Sequence, residues 1–173
     1  PDSASLLAVI ADNRPLGQAQ NGQIVRLDPR TGKMEKLWEG YGYTMTEPVF
    51  TDALAVVRTA RHKLVALHRK TMSTIAWEVL LRTYKPLPPV IAGELVLAWD
   101  GEITKEQMVL KAFALKDGKL AWQANINDID CSPVVIGDQL IYRTGKKTIT
   151  AIDLKNGQQL WEQKYTRIYS RPA

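Results

Sequence analysis

The sequence predicts an all-β protein, a β-propeller of four-stranded antiparallel blades with about four blades present. Three observations carry that expectation. Tryptophans recur at positions 38, 77, 122 and 161, at spacings of 39, 45 and 39 residues. Each closes a stretch of one plan, in which an alternating apolar strand, a polar turn and a second strand follow in order. From the second unit onward, two shorter apolar runs precede that stretch. A period of about 40 residues with four strands per unit is that of a propeller blade.

The fourth copy is the clearest. Thr148 to Gln163 reads T-I-T-A-I-D-L-K-N-G-Q-Q-L-W-E-Q, with Asn156-Gly157 expected to supply the positive φ values of a tight hairpin turn. Met108 to Ala124 repeats it with Asp117-Gly118 and Trp122, and Gln23 to Glu39 with Thr31-Gly32 and Trp38. Lys63 to Val79 is degenerate, with Met72 standing where the glycine stood, and Trp77 closes it. A tryptophan buries up to about 250 Å² and its N–H needs a partner when buried. All four are therefore expected to be buried structural residues at equivalent places, with Ala66, Ala112 and Ala151 giving the ring room. Trp99 is out of phase, on a second strand, and should behave differently.

Taken in order, the blades are expected at about 1–45, 46–86, 87–130 and 131–169. The first opens poorly: Leu6 to Ala11 reads as a strand, and Asp12 to Gly22 as a long polar loop. Later units open on Pro48-Val49-Phe50, Pro89-Val90-Ile91 and Pro133-Val134-Val135-Ile136, proline being tolerated at the first residue of a strand. Short turns at Thr51-Asp52, Gly93-Glu94 and Gly137-Asp138 lead to second strands over Ala53–Arg58, Leu95–Asp100 and Gln139–Arg143. Ser170-Arg171-Pro172-Ala173 aligns with Cys131-Ser132-Pro133-Val134, so a fifth unit is expected to begin at 170–173. Such an arc is expected to be about half of an eight-bladed ring, its apolar blade faces covered by remaining blades or by a second copy.

The composition is that of an ordinary globular protein, 45% hydrophobic and 24% charged over 173 residues. No apolar run approaches the roughly 20 residues of a transmembrane helix, and residues 1–10 lack the pattern of a signal peptide. The net charge is +5, but the basic residues are dispersed, whereas nucleic-acid binding leaves a basic stripe. The single cysteine, Cys131, forms no intramolecular disulfide and reads as a small buried hydrophobe.

The hairpins resemble the repeats of the pyrroloquinoline-quinone propeller superfamily, whose tryptophan-docking motif is A-x-D-x-x-x-G-x-x-x-W. Ala151, Asp153, Gly157 and Trp161 match it in full. Ala112, Gly118 and Trp122 match in the third unit, with Ala114 replacing the aspartate. Asp28, Thr31, Gly32 and Trp38 match in the first, with Arg26 at the alanine position and two extra residues before the tryptophan. The second keeps Ala66, Thr71 and Trp77, with His68 and Met72 at the aspartate and glycine positions.

Catalytic members of that superfamily hold their quinone in a full ring, and the alcohol dehydrogenases typically add an adjacent-cysteine disulfide, a calcium and an aspartate base. Cys131 is flanked by Asp130 and Ser132, so the disulfide is absent and the carboxylates stand mostly singly in turns. The resemblance therefore implies a non-catalytic module without cofactor, similar to BamB-like outer-membrane assembly scaffolds, and a periplasmic location. The oxygen-rich run Asn125 to Asp130 lacks the glycine and terminal glutamate of a calcium hand and reads as a solvated loop. His62 and His68 would stand about 20 Å apart in one continuous strand, too far for one metal.

Propeller topology places the loops between blades on one face. Here those are Glu39 to Thr46, Leu80 to Pro88, Asn125 to Ser132 and Lys164 to Arg171. They carry Tyr41, Tyr43, Arg82, Tyr84, Lys85, Arg167, Tyr169 and Arg171, and tyrosine and arginine are enriched at interface hot spots. Tyrosine equally suits a half-buried loop position. Three functions stay open: a protein-interaction scaffold, a piece of a quinoprotein dehydrogenase whose catalytic residues lie in other blades, and a ligand-sensing domain of a larger receptor.

Overall fold

The computed structural model describes residues 6–11, 22–40, 46–59, 62–82, 87–101, 108–126, 129, 132–144 and 147–165. These residues form β-strands and connecting turns, arranged as antiparallel sheets in two compact units, Pro1–Leu80 and Leu81–Ala173. In the first unit β1 (Leu6–Ala11), β2 (Gly22–Leu27) and β3 (Met34–Gly40) make a three-stranded sheet. Beside it in sequence, β4 (Val49–Phe50), β5 (Leu54–Arg58), β6 (Lys63–His68) and β7 (Ile75–Leu80) make a four-stranded one. The second unit holds β8 (Val90–Ala92), β9 (Leu95–Asp100), β10 (Met108–Ala114) and β11 (Leu120–Ile126), then β12 (Val134–Ile136), β13 (Gln139–Thr144), β14 (Thr148–Asp153) and β15 (Gln159–Lys164). Every sheet is a simple meander, because consecutive strands joined by short turns pair antiparallel.

The four tryptophan hairpins share one turn, and it is longer than a two-residue Asn-Gly hairpin. The N–H groups of Gly32, Gly118 and Gly157 donate to the carbonyls four residues earlier, those of Asp28, Ala114 and Asp153, at 2.9, 2.9 and 2.8 Å. Met72 does the same to His68 at 2.7 Å. The last residue of each turn is left-handed, with φ of 69°, 54°, 71° and 76° at positions 32, 72, 118 and 157. Asn156 is not; its side-chain oxygen instead accepts the Gln158 N–H at 2.8 Å. The motif aspartates close the turn from inside: Asp28 and Asp153 each accept the N–H two residues on, at 2.8 Å.

Behind each turn lies a β-bulge at one repeated place. Register shifts between Ile24 and Val25, Ala66 and Leu67, Ala112 and Phe113, and Ala151 and Ile152. The extra residue in each outer strand is the one just before the tryptophan: Leu37, Ala76, Ala121 and Leu160. The tryptophan then stands directly across from a small or branched residue of the neighbouring strand, Ala66 for Trp77, Ala112 for Trp122 and Ala151 for Trp161. In the first sheet that place belongs to Ile24, not Arg26; Arg26 pairs with Glu35 and forms an ion pair with it at 3.1 Å. Two extra residues lengthen this hairpin by one row. Side chains alternate with period two, so Trp38 keeps its face.

Each unit has its own core. Ile24 and Trp38 of the first sheet join Ala55, Val57, Val65, Leu67 and Met72 of the second. In the other unit, Leu97, Trp99, Met108, Leu110, Ala112 and Ile126 of one sheet meet Leu140, Tyr142 and Ile152 of the next. Trp99 does differ from the repeating tryptophans: it is fully buried within that core, opposite Leu110.

Candidate interaction face

Trp122 shows what the docking motif does. It lies against the core of its unit, and its indole Nε1–H donates to the Leu154 carbonyl in the turn of the following sheet at 2.8 Å. The ring lies where a side chain at Gly157 would be: a Cβ there would meet ring atoms at 2.5 and 2.8 Å. Glycine at 157 thus serves both the left-handed backbone and the close approach of the ring. Trp38 and Met72 share a core in the first unit, where the methionine is 1% exposed. A methionine in the left-handed region costs about 1–2 kcal/mol, and its burial offsets that.

The four tryptophans stand at equivalent places, but the expected burial of all four needs correction. Trp38 and Trp77 are each 8% exposed, Trp122 is half-buried, and Trp161 is 41% exposed. Trp161 shares its sheet face with Val134, Ile141, Ile149 and Ala151, and the opposite face, with Leu140, Tyr142 and Ile152, is the one that joins the core. Among the described residues no core cluster includes Trp161.

Of the loop residues expected to bind a partner, Arg82 is described and exposed. Tyr41, Tyr43, Tyr84, Lys85, Arg167, Tyr169 and Arg171 lie outside the described residues, as do Cys131 and the 170–173 segment. Arg82 is held from below. Its N–H and that of Gly101 donate to one carboxylate oxygen of Asp100, the last residue of β9. The other oxygen takes the Lys111 ammonium at 2.6 Å, with the Asp100 side chain only 7% exposed. Burial pushes the Asp100 carboxyl up, but the Lys111 hydrogen bond and the two N–H donors outweigh it and hold the group below its ordinary value.

Asp100 has counterparts that the repeat alone does not advertise. Val56, Leu97 and Ile141 each stand opposite the docking alanine, and three residues beyond them come Thr59, Asp100 and Thr144. All three are buried polar residues at the end of a second strand. Thr144 bridges to Ile129 in the loop before its sheet, and its hydroxyl meets that of Thr148 at 2.6 Å. In the second unit, then, the residue at this place meets the loop that leads into each sheet, Asp100 through its carboxylate and Thr144 through a backbone bridge. Sequence reasoning passed over this set because none of its members belongs to the docking motif; the common offset from the alanine's partner was the available signal.

Two other features carry less chemistry. A cleft of about 500 Å³ in the first unit is lined by Leu37, Trp38, Val65 and Ile75. Its rim cations are paired, Lys36 with Glu39 and Lys63 with Glu78, so it offers no concentrated charge. Among the described residues no three His, Cys, Asp or Glu side chains group to hold a metal. His62 precedes β6 with φ 61° rather than lying in it, so the shared-face geometry expected for His62 and His68 does not apply.

The family described as outer membrane protein assembly factor BamB matches residues 2–173. The chain belongs to the BamB family of PQQ-repeat proteins. It is similar to the outer membrane protein assembly factor BamB of Yersinia pestis, 28% identical over 143 residues, which are 71% of this chain and 34% of that protein. For the Vibrio cholerae protein of the same name the figures are 29% over 142 residues, 72% and 35%. The chain thus spans about a third of the length of these curated relatives. Among solved structures it resembles BamB from Moraxella catarrhalis, with a TM-score of 0.65 at 17% identity over 96% of this chain and 54% of that one. A europium-containing methanol dehydrogenase gives 0.63 at 10% identity over 94% and 44%. BamB and quinoprotein dehydrogenases share the fold of this chain, a partial β-propeller. No helix of the described residues is long and apolar enough to cross a membrane.

Proposed function

We propose that this BamB-family chain is a non-catalytic propeller scaffold of outer-membrane protein assembly, acting on the periplasmic side and binding protein through the loops that join its blades. The observation that carries this reading is the family match over residues 2–173. The loop face adds a physical reason. Arg82 is exposed, while its backbone N–H is held by the buried Asp100 carboxylate, which is itself paired with Lys111. A contact residue on a pre-ordered backbone loses less entropy on binding. Tyr41, Tyr43, Tyr84, Lys85, Arg167, Tyr169 and Arg171 are the further contact residues of this reading, and a protein partner is its only ligand.

The test is direct binding of the purified chain to the purified outer-membrane protein assembly machinery, measured by interferometry. Saturable binding weakened about tenfold by Arg82→Glu, equivalent to about 1.4 kcal/mol, is expected. No binding by the folded chain would sink the scaffold reading. Adding pyrroloquinoline quinone and calcium with an electron-accepting dye and an alcohol addresses catalysis; turnover above a heat-killed control would overturn the non-catalytic assignment.

A further inference from the structure

The sequence holds two Asn-Gly pairs, Asn21-Gly22 and Asn156-Gly157. Asn21 lies outside the described residues, but Asn156-Gly157 sits in the turn that receives Trp122. Asparagine before glycine is prone to spontaneous deamidation, because glycine has no side chain to hinder attack by its own nitrogen. Base removes the Gly157 amide proton, and the nitrogen attacks Cγ of the Asn156 side chain. The N–Cγ bond forms, and the Cγ–Nδ2 bond breaks to release ammonia. Water then opens the cyclic imide at either carbonyl, leaving aspartate or isoaspartate and one added negative charge.

The turn offers the electrophile and withholds the nucleophile. Asn156 is exposed, and its Oδ1 accepts the Gln158 N–H at 2.8 Å, which polarises the side-chain carbonyl. Gly157 is buried, and its N–H donates to the Asp153 carbonyl at 2.8 Å. The Trp122 ring lies so close over Gly157 that a Cβ there would stand 2.5 Å from it. The indole N–H fastens that ring to the Leu154 carbonyl at 2.8 Å. The peptide between 156 and 157 cannot turn until the ring moves.

We propose that Asn156 is a deamidation site gated by Trp122, keeping its amide while the indole is docked and losing it when the indole lifts away. This goes beyond the proposed assembly role and does not depend on it. Loss of the Gly157 amide proton to base is also the first step of its hydrogen exchange. One local opening therefore limits both reactions.

The experiment is peptide mapping by mass spectrometry of the 173-residue chain aged in mildly alkaline buffer, beside the same chain unfolded in guanidinium and a Trp122→Phe variant. Phenylalanine keeps a ring but has no N–H for the Leu154 carbonyl; circular dichroism checks that the variant folds. Asn156 of the folded chain is expected to convert at least about tenfold more slowly than in guanidinium, and about tenfold faster in Trp122→Phe than in the parent, the weight of about one hydrogen bond. Exchange of the Gly157 amide, followed by NMR, is expected to accelerate by the same factor in the variant. If the variant does not fold, the parent alone decides: in rising sub-denaturing guanidinium, Asn156 conversion and Gly157 exchange are expected to accelerate in step. A folded parent that converts as fast as the unfolded chain would overturn the proposal. So would equal rates in parent and folded variant, or conversion and exchange that respond differently.

Discussion

Glycines in equivalent turns do different work, and the difference is measurable. At Gly157 a methyl group would both strain a left-handed backbone and press 2.5 Å from the Trp122 ring. At Gly32 it would meet only the first of these. Gly157→Ala is therefore expected to destabilise by about 2–4 kcal/mol, combining overpacking with backbone strain, and Gly32→Ala by about 1 kcal/mol. Urea unfolding of the two variants reads the gap directly; equal losses would mean that Trp122 does not occupy the Gly157 turn. Met72 is the inverse case, a side chain placed where glycine would relax the chain. Met72→Ala is expected to cost about 2–5 kcal/mol through the emptied core. Met72→Gly is expected to cost about 1 kcal/mol less than Met72→Ala, because glycine gives up the same packing but relieves the positive φ. The usual order, alanine above glycine, would show that the left-handed turn is not kept in solution.

Sheets of this kind are specified by their hairpins more than by their inner strands. The hairpin periodicity, the glycine turns and the alanine opposite each later tryptophan were legible because alternation and turn chemistry are local. The bulge was not, since a residue added before each tryptophan looks like ordinary strand sequence until the partner strand fixes the register. Arg26 stood in for Ile24 in the first motif for a different reason: the two extra residues of that hairpin move the tryptophan's partner back by one row. The anchoring role of Asp100 was hidden for another reason: its donors, Arg82 and Lys111, come from different parts of the chain. Its contribution has a definite sign. Asp100 titrates below its ordinary value in the folded state, so the stability it supplies is present above the unfolded carboxyl value, near pH 4, and is lost as pH falls through the lower folded value. Asp100→Ala at neutral pH is expected to cost about 1–3 kcal/mol, the penalty for leaving buried donors unmade. Below pH 4 the difference between variant and parent should shrink. An unchanged difference from pH 7 to pH 3 would exclude the carboxylate as the anchor.

At the scale of the molecule, the division into two units makes the strongest claim about how stability is organised. Residues 81–173 contain every member of the core that includes Leu97, Trp99, Leu110, Leu140, Tyr142 and Ile152. They also contain both halves of the Trp122 docking contact and the whole Asp100 anchor. A segment with its own core folds as a domain in principle, and in stacked repeats each unit leans mainly on its nearest neighbours. Trp99, fully buried, and Trp122 report on that core from within. Residues 81–173 expressed alone are therefore expected to unfold in one cooperative urea transition with a red shift of tryptophan emission. At about 0.05–0.15 kcal/mol per residue, a net stability of several kcal/mol is the expected size. Denaturant dependence supplies the second check, because its slope scales with the surface exposed on unfolding. A shallow, non-cooperative transition with emission already red-shifted in water would show that the core requires residues 1–80, and that the two sheets of the second unit do not suffice for each other.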